Sequence, residues 1–289
     1  MNLSDARKQF IKHLEDAGRA GATLVAYGKD IDQLVDFASK KGKSTANEIV
    51  LEDLQDFMTH FLEKGFTAKT ISRKTNSVKT FFGFLKEKDF IDTNVSEYLK
   101  HPKIKVSEPR ILSQMEYRAL RDVTRNDLRS YALIEVFLQT GLSIAEVAGM
   151  ELSHLHMDSD NPYIYIPARD SKGERTVPMN EVAVRALKEY LEKDRFDKES
   201  DFVFITRTGN SLLVRNIRST VNRYFTKAGV ENATVNDLRH TFIAHNLKSG
   251  ASVSYISKIV GHKRVSTTER YLEFIGVKES GQRAELTVL

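Results

Sequence analysis

Arg239, His240, His262 and Tyr271 fall within two short stretches of a 289-residue chain. The first stretch reads Asn236, Asp237, Leu238, Arg239, His240, Thr241, Phe242. The second opens on Gly261 and His262 and reaches Tyr271 nine residues later. A guanidinium can grip a phosphate bidentately and stabilise the equatorial oxygens of a five-coordinate transition state. A tyrosine hydroxyl can attack phosphorus and leave a phosphotyrosyl intermediate. Arginine, histidine and tyrosine together, with no thiol and no metal-ligand cluster, point to phosphoryl transfer. Singly each is ordinary: Tyr271 would be a half-buried helix tyrosine and His262 a capping or packing histidine.

Helices must place these groups. Apolar spacing predicts them over residues 237–247 and 253–260, and earlier over 182–191 and 215–227. Ser113 and Glu116 predict a capping box that opens a helix, and residues 131–139 form an apolar helix ending at Gly141. Residues 163–166 and 175–178 are β-prone and flank a turn-like stretch at 170–173, a hairpin signal. Residues 202–205 are expected to add a third short strand. The first 101 residues hold no proline, and helical periods recur over 6–14, 24–37, 51–62 and 70–85. Phe81 and Phe82 read as core. Residues 102–109, with Pro102 and Pro109, read as a linker between a helical domain, 1–101, and a second domain, 110–289. The expected class is mainly α with a small antiparallel β-sheet.

Hydrophobic residues make up 40% of the chain and charged residues 29%, as in a folded globular protein. The absence of cysteine excludes disulfide scaffolds, thiolate metal sites and thiol nucleophiles. No apolar run is long enough for a membrane span, and the N-terminus lacks the apolar segment of a secretory signal, so the cytoplasm is the expected compartment. The formal charge is only +5, but it is unevenly spread. Residues 66–88 carry six bases against one acid, and residues 207–227 carry five bases and no acid. Arg73, Lys74 and Lys79 in the first stretch, and Arg215 and Arg218 in the second, are expected on two solvent faces that grip duplex DNA. Solvated helix faces would give the same pattern.

The chain resembles the tyrosine recombinase (phage integrase) family, especially its Xer-like members, along essentially its whole length. Thr140, Gly141, Ile144 and Glu146 match a first box, T-G-x-R-I/V-x-E. Leu238, Arg239, His240 and Thr241 match a second, H-x-L-R-H-S/T. Gly261, His262, Thr268 and Tyr271 match a third, G-H-x5-T-x2-Y. Three ordered motifs after a helical domain are specific where a lone R-H or G-H is not. The resemblance implies a SAM-like core-binding domain followed by an α+β catalytic domain. It implies that Tyr271 attacks the scissile phosphate and becomes joined to the 3′ end, and that Arg239 holds the non-bridging oxygens. His262 would bond the phosphate and Lys172, in the hairpin turn, would protonate the departing 5′ oxygen. Glu146 would orient neighbouring basic groups, and His240 would play a structural part. Neither metal nor ATP is needed, since the covalent link stores the phosphodiester energy.

Two positions depart from the pattern: Ser143 stands at the first-box arginine and Asn236 at the second-box histidine. Losing one transition-state contact costs roughly 2.7–4 kcal/mol, and losing acid–base help about 10²–10⁴ in rate. One of Arg110, Arg118, Arg121, Arg125 or Arg129 is expected to replace the missing guanidinium. The leading reading is a site-specific DNA recombinase, acting in dimer resolution or in integration or excision of a mobile element. Its partners would be inverted-repeat duplex DNA, a second copy on each site, a tetramer in synapsis, and accessory or directionality factors. Its tail, 277–289, would dock on a neighbouring subunit. The alternatives are a catalytically impaired paralogue that binds such sites as an accessory, and an unrelated helix-rich transcription factor.

Overall fold

A computed structural model describes residues 1–104, 107–169, 173–195, 199–277 and 286–289. It separates into two compact units, Met1–Ser107 and Glu108–Leu289, each built on its own apolar core. The first unit holds α1 (Leu3–Asp16), α2 (Gly21–Lys40), α3 (Leu51–Glu63) and α4 (Ala68–Glu87). Asn2 and Thr67 accept backbone N–H bonds and start α1 and α4. Phe10, Phe57, Phe81 and Phe82 are fully buried, and the rings of Phe10 and Phe81 meet edge to face at 5.2 Å. Phe81 and Phe82 are therefore core, as expected.

The basic face expected on α4 is corrected at Lys74. This side chain is only 2% exposed, and its ammonium meets Asp30 Oδ1 at 2.9 Å and lies 4.1 Å above the Phe61 ring. Asp30, itself 1% exposed, also pairs with Arg73 and accepts a hydrogen bond of 2.7 Å from Ser77. A buried carboxylate is tolerated only when paired and hydrogen-bonded, so α4 spends two bases on locking itself to α2. Lys79 reaches back to the Glu97 carbonyl at 3.1 Å.

The second unit begins with α5 (Gln114–Thr124), opened by the expected Ser113–Glu116 capping box, and α6 (Leu128–Thr140). From Ala132 to Thr140 every residue of α6 is buried, which makes it the central helix, packed by α8 (Glu181–Lys193) and α10 (Val235–Lys248). The short α7 (Ile144–Ala148) follows, and α9 (Val214–Lys227), α11 (Val253–Val260) and α12 (Ser266–Ile275) complete the helices. The sheet is antiparallel with strand order β1 (Leu155–His156), β2 (Tyr163–Ile166), β3 (Arg175–Pro178). Ile164 faces Val177 and Leu155 across it.

The hairpin therefore forms where expected, but the third strand does not. Residues 202–205 make only isolated bridges, Glu151 with Phe202 and Ile205 with Ser211, and β1 takes the edge instead. Val203, Phe204 and Ile205 are all buried in succession, so this apolar run threads the core rather than alternating on a sheet. Of the tail, residues 278–285 lie outside the described residues. Thr287 N–H bonds Asn246 Oδ1 at 2.8 Å, and the Leu289 carbonyl accepts from Arg121 at 2.8 Å, so these terminal residues pack within their own unit. Among the described residues no helix is long and apolar enough to cross a membrane.

Candidate active site

Two helix ends create the arginine site. Gly141, just beyond α6, has φ 62°, and a Cβ there would collide with the ring of Phe242. Gly261, just beyond α11, has φ 67°, and a Cβ there would come within 2.9 Å of the Arg175 guanidinium. These turns expose helix-end carbonyls with no intrahelical partner, where the helix dipole is negative. Arg239, on α10 and 8% exposed, donates to the Gly141 carbonyl at 2.6 Å and to the Val260 carbonyl at 2.5 Å. Burial lowers its pKa, and the Glu146 carboxylate at 3.9 Å opposes that.

Glu146 gathers a second guanidinium. Arg175 from β3 donates to Glu146 Oε1 at 2.8 Å and to the Ile259 carbonyl at 2.8 Å. Glu146 also closes a capping box with Ser143, whose N–H it accepts at 2.8 Å. Burial opposes ionisation of Glu146, but the Ser143 N–H and Arg175 outweigh it and hold the carboxyl below its usual range. Arg175 was not singled out from the sequence. It lies in a strand, far along the chain from both motifs, and only the hairpin brings it to Glu146. Three of the arginines expected to fill this role are committed elsewhere. Arg110 pairs with Glu116 at 2.6 Å, Arg121 with Glu135 at 2.5 Å, and Arg129 donates to the Ile205 carbonyl at 2.9 Å. Arg118 and Arg125 are exposed.

The nucleophile candidate lies on α12. Tyr271 is 6% exposed and its hydroxyl is hydrogen-bonded to Nδ1 of His240. Burial pushes the phenol pKa up to about 12, with Arg239 pulling it down and Asp237 adding to the rise. The other ring nitrogen of His240, Nε2, meets Nδ2 of the Asn236 carboxamide at 2.6 Å. Burial also lowers the pKa of His240, against the attraction of Asp237. Asp237 is fixed by capping α10, accepting the Thr234 N–H at 2.7 Å.

Two cavities flank these groups. One of about 350 Å³ is lined by Ser143, Arg218, Asn236 and Arg239 among others. The other, about 690 Å³, is lined by Arg175, Lys258, Gly261, His262 and Lys263. His262 Nδ1 meets the buried Thr268 hydroxyl at 2.7 Å, which fixes the ring. The structure thus brings together Ser143, Glu146, Asn236, Arg239, His240 and Tyr271. His262 stands beside Arg175, and Lys172 lies outside the described residues. Arg215 and Arg218 are exposed on α9, as expected.

Comparisons with known proteins show the family and the fold. Residues 110–274 match the model of the phage integrase family, and residues 8–89 match the phage integrase N-terminal SAM-like domain. The chain is 30% identical over 276 residues to a tyrosine recombinase XerC of Listeria welshimeri, covering 91% of each protein. Among solved structures, a Tn1549 transposon integrase in complex with transposon right-end DNA superposes with a TM-score of 0.78. It is 18% identical, with 98% of this chain and 97% of that one covered. A lambda integrase tetramer bound to a Holliday junction gives 0.72 at 17% identity, over 92% of this chain and 79% of that one. The fold is that of these integrases: a SAM-like helical domain followed by a mainly helical catalytic domain with a small antiparallel sheet. The chain belongs to the phage integrase family.

Proposed function

We propose that this protein is a site-specific DNA recombinase that cuts and rejoins duplex DNA through a 3′-phosphotyrosine on Tyr271. The observation that carries this reading is the meeting of the Tyr271 hydroxyl, His240 and Arg239 at one junction of α10 and α12. Tyr271 attacks phosphorus and the bond to the 5′ oxygen breaks. Arg239, anchored by two carbonyls and backed by Glu146 and Arg175, keeps its charge beside the non-bridging oxygens as they gain charge. His262 bonds the phosphate from the other side and Lys172 returns a proton to the 5′ oxygen. Rejoining reverses these steps, so neither cofactor nor metal enters the scheme. Ser143 and Asn236 stand in place of the family's arginine and histidine, and Arg175 and His240 meet their neighbours instead.

Residues 1–101 bind the site, 102–109 link, and 110–289 carry the chemistry. Arg215 and Arg218, with Arg73 and Lys79, supply phosphate contacts. The substrate is duplex DNA with inverted arms, bound by one protomer per arm and four in the synapse, a stoichiometry supported by the lambda integrase tetramer on its junction. Accessory or directionality factors bias the outcome, and the protein works at the nucleoid in the cytoplasm. The test is a nicked suicide substrate carrying the protein's own site. Wild type is expected to give an SDS-resistant adduct, and Tyr271→Phe to bind DNA without forming one. An adduct that survives Tyr271→Phe removes Tyr271 as nucleophile, and binding without any wild-type adduct supports the impaired-paralogue reading.

A further inference from the structure

Tyr271 has to lose a proton before its oxygen can attack, and its surroundings make that loss unfavourable. A phenol with a pKa near 12 is ionised in about one molecule in 10⁴ at pH 8, so attack needs a group that removes the proton as the bond to phosphorus forms. Lys172, assigned above to the 5′ oxygen, serves the opposite end of the reaction. Arg239 has no basic lone pair and donates to two carbonyls.

We infer that His240 is the proton acceptor for Tyr271, with Nδ1 taking the proton and the Asn236 carboxamide, turned about its last bond, accepting from Nε2–H. The inference rests on the recombinase reading and assigns a catalytic part to a residue that the motif alone casts as structural.

The buried end of this chain of three groups decides the tautomer. Among the described residues, the hydroxyl of the buried Tyr271 is bonded to Nδ1 of His240. If Nδ1 carried a proton, it would donate to the phenol oxygen and the phenol's own O–H would be left without an acceptor in a dry place. With Nδ1 bare, Tyr271 donates to it and the proton lies on the path it must take. Nε2 then carries the ring's proton. The exposed end adapts to this. Asn236 is exposed and its Nδ2 lies 2.6 Å from Nε2; a half-turn about its last bond exchanges Nδ2 for Oδ1 at almost no change in shape and brings an acceptor to Nε2. With Oδ1 toward the ring it accepts Nε2–H, and its NH2 turns to water.

The charge state agrees. Burial lowers the pKa of His240 and favours the neutral ring; among the described residues the charged groups facing it are Asp237 and Arg239 on its own helix, with opposite effects, and the phenol of Tyr271 faces it from α12. In cleavage the Tyr271 O–H bond breaks and the proton moves to Nδ1. The phenolate oxygen bonds phosphorus, the P–O5′ bond breaks, and the 5′ oxygen is protonated at its own side. In rejoining, the 5′ hydroxyl attacks, tyrosinate leaves, and His240 returns its proton. Asp237 stabilises the imidazolium between the two steps.

The experiment measures single-turnover adduct formation on the suicide substrate, with DNA affinity measured alongside. His240→Gln, which can hydrogen-bond but cannot take a proton, is expected to slow adduct formation by about 10²–10⁴ with affinity unchanged. Replacing Tyr271 by a fluorinated tyrosine of lower phenol pKa should shrink that loss. Nitrogen-15 NMR of the free protein, which needs no activity and no variant, should show His240 neutral with its proton on Nε2. Adduct formation at the wild-type rate in His240→Gln overturns the inference. So does a loss of equal size with tyrosine and fluorotyrosine, or a ring found protonated at Nδ1. Absence of an adduct in wild type overturns the recombinase reading itself, which these outcomes leave standing.

Discussion

Glu146 is shared by two guanidiniums, and this decides what an added cation at position 143 would do. Arg175 takes one carboxylate oxygen, Arg239 approaches the other, and the Ser143 N–H is bonded to that same oxygen. Ser143 also caps α7, since its hydroxyl accepts the Glu146 N–H at 3.4 Å. Ser143→Arg gives up that cap, which costs about 0.5–2 kcal/mol, and places another positive charge on a carboxylate already engaged. The cavity that Ser143 lines is lined by Arg218 and Arg239 as well, so an arginine entering it meets two other guanidiniums. Ser143→Arg is therefore expected to lower Tm and to leave adduct formation flat or reduced. A tenfold or greater acceleration would mean that the site lacks a phosphate-binding guanidinium that neither Arg175 nor Arg218 supplies.

At the scale of elements, α4 separates what a base does for the fold from what it does for DNA. Lys74→Ala leaves the buried Asp30 with Arg73 and Ser77 only. Breaking a buried pair costs about 3–5 kcal/mol, and the remaining partners put this variant toward the lower end. Arg215→Ala removes an exposed base from α9 and should leave Tm unchanged while lowering the slope of log K against log salt by about 0.9. Thermal melts and salt titrations of both variants check the pair. A stable Lys74→Ala with a reduced salt slope would return Lys74 to the DNA face. The signal for its burial is present in the sequence: position 74 falls three after Ile71 and four before Val78, on the same helical stripe as Phe81, Phe82 and Leu85. A charge at a core position was read by its type rather than by its place. Helices were legible because periodicity and caps are local. The run at 202–205 suggests a strand it does not form, because burial and strand pairing leave the same apolar trace. Tyr271, Arg239 and Asn236 were legible because contiguous motifs carry them. The contacts of Arg175 with Glu146 and of His240 with Tyr271 were not, since both depend on which helix end or hydroxyl lies opposite.

On the proposed function the two units divide the work of the whole molecule in a way that can be measured. Each has its own buried core, and all the groups assigned to bond making and breaking belong to Glu108–Leu289. The bases of the first unit, by contrast, touch no group of the reaction within their own unit, and Arg73 is partly neutralised by Asp30. Binding by two linked modules gains affinity because the second contact becomes intramolecular, typically by 10²–10⁴ without any new contact. The chemistry gains nothing from this once the DNA is bound. A fragment of residues 108–289 is accordingly expected to melt cooperatively on its own and to bind the site about 10²–10⁴ more weakly than the full chain. At saturating protein its single-turnover adduct rate should stay within about tenfold of the full chain's. Its salt slope should be smaller, because the phosphates contacted by the first unit keep their counterions. If the fragment saturates the DNA yet forms adduct more than a hundredfold more slowly, the first unit shapes the reacting geometry and is more than a tether.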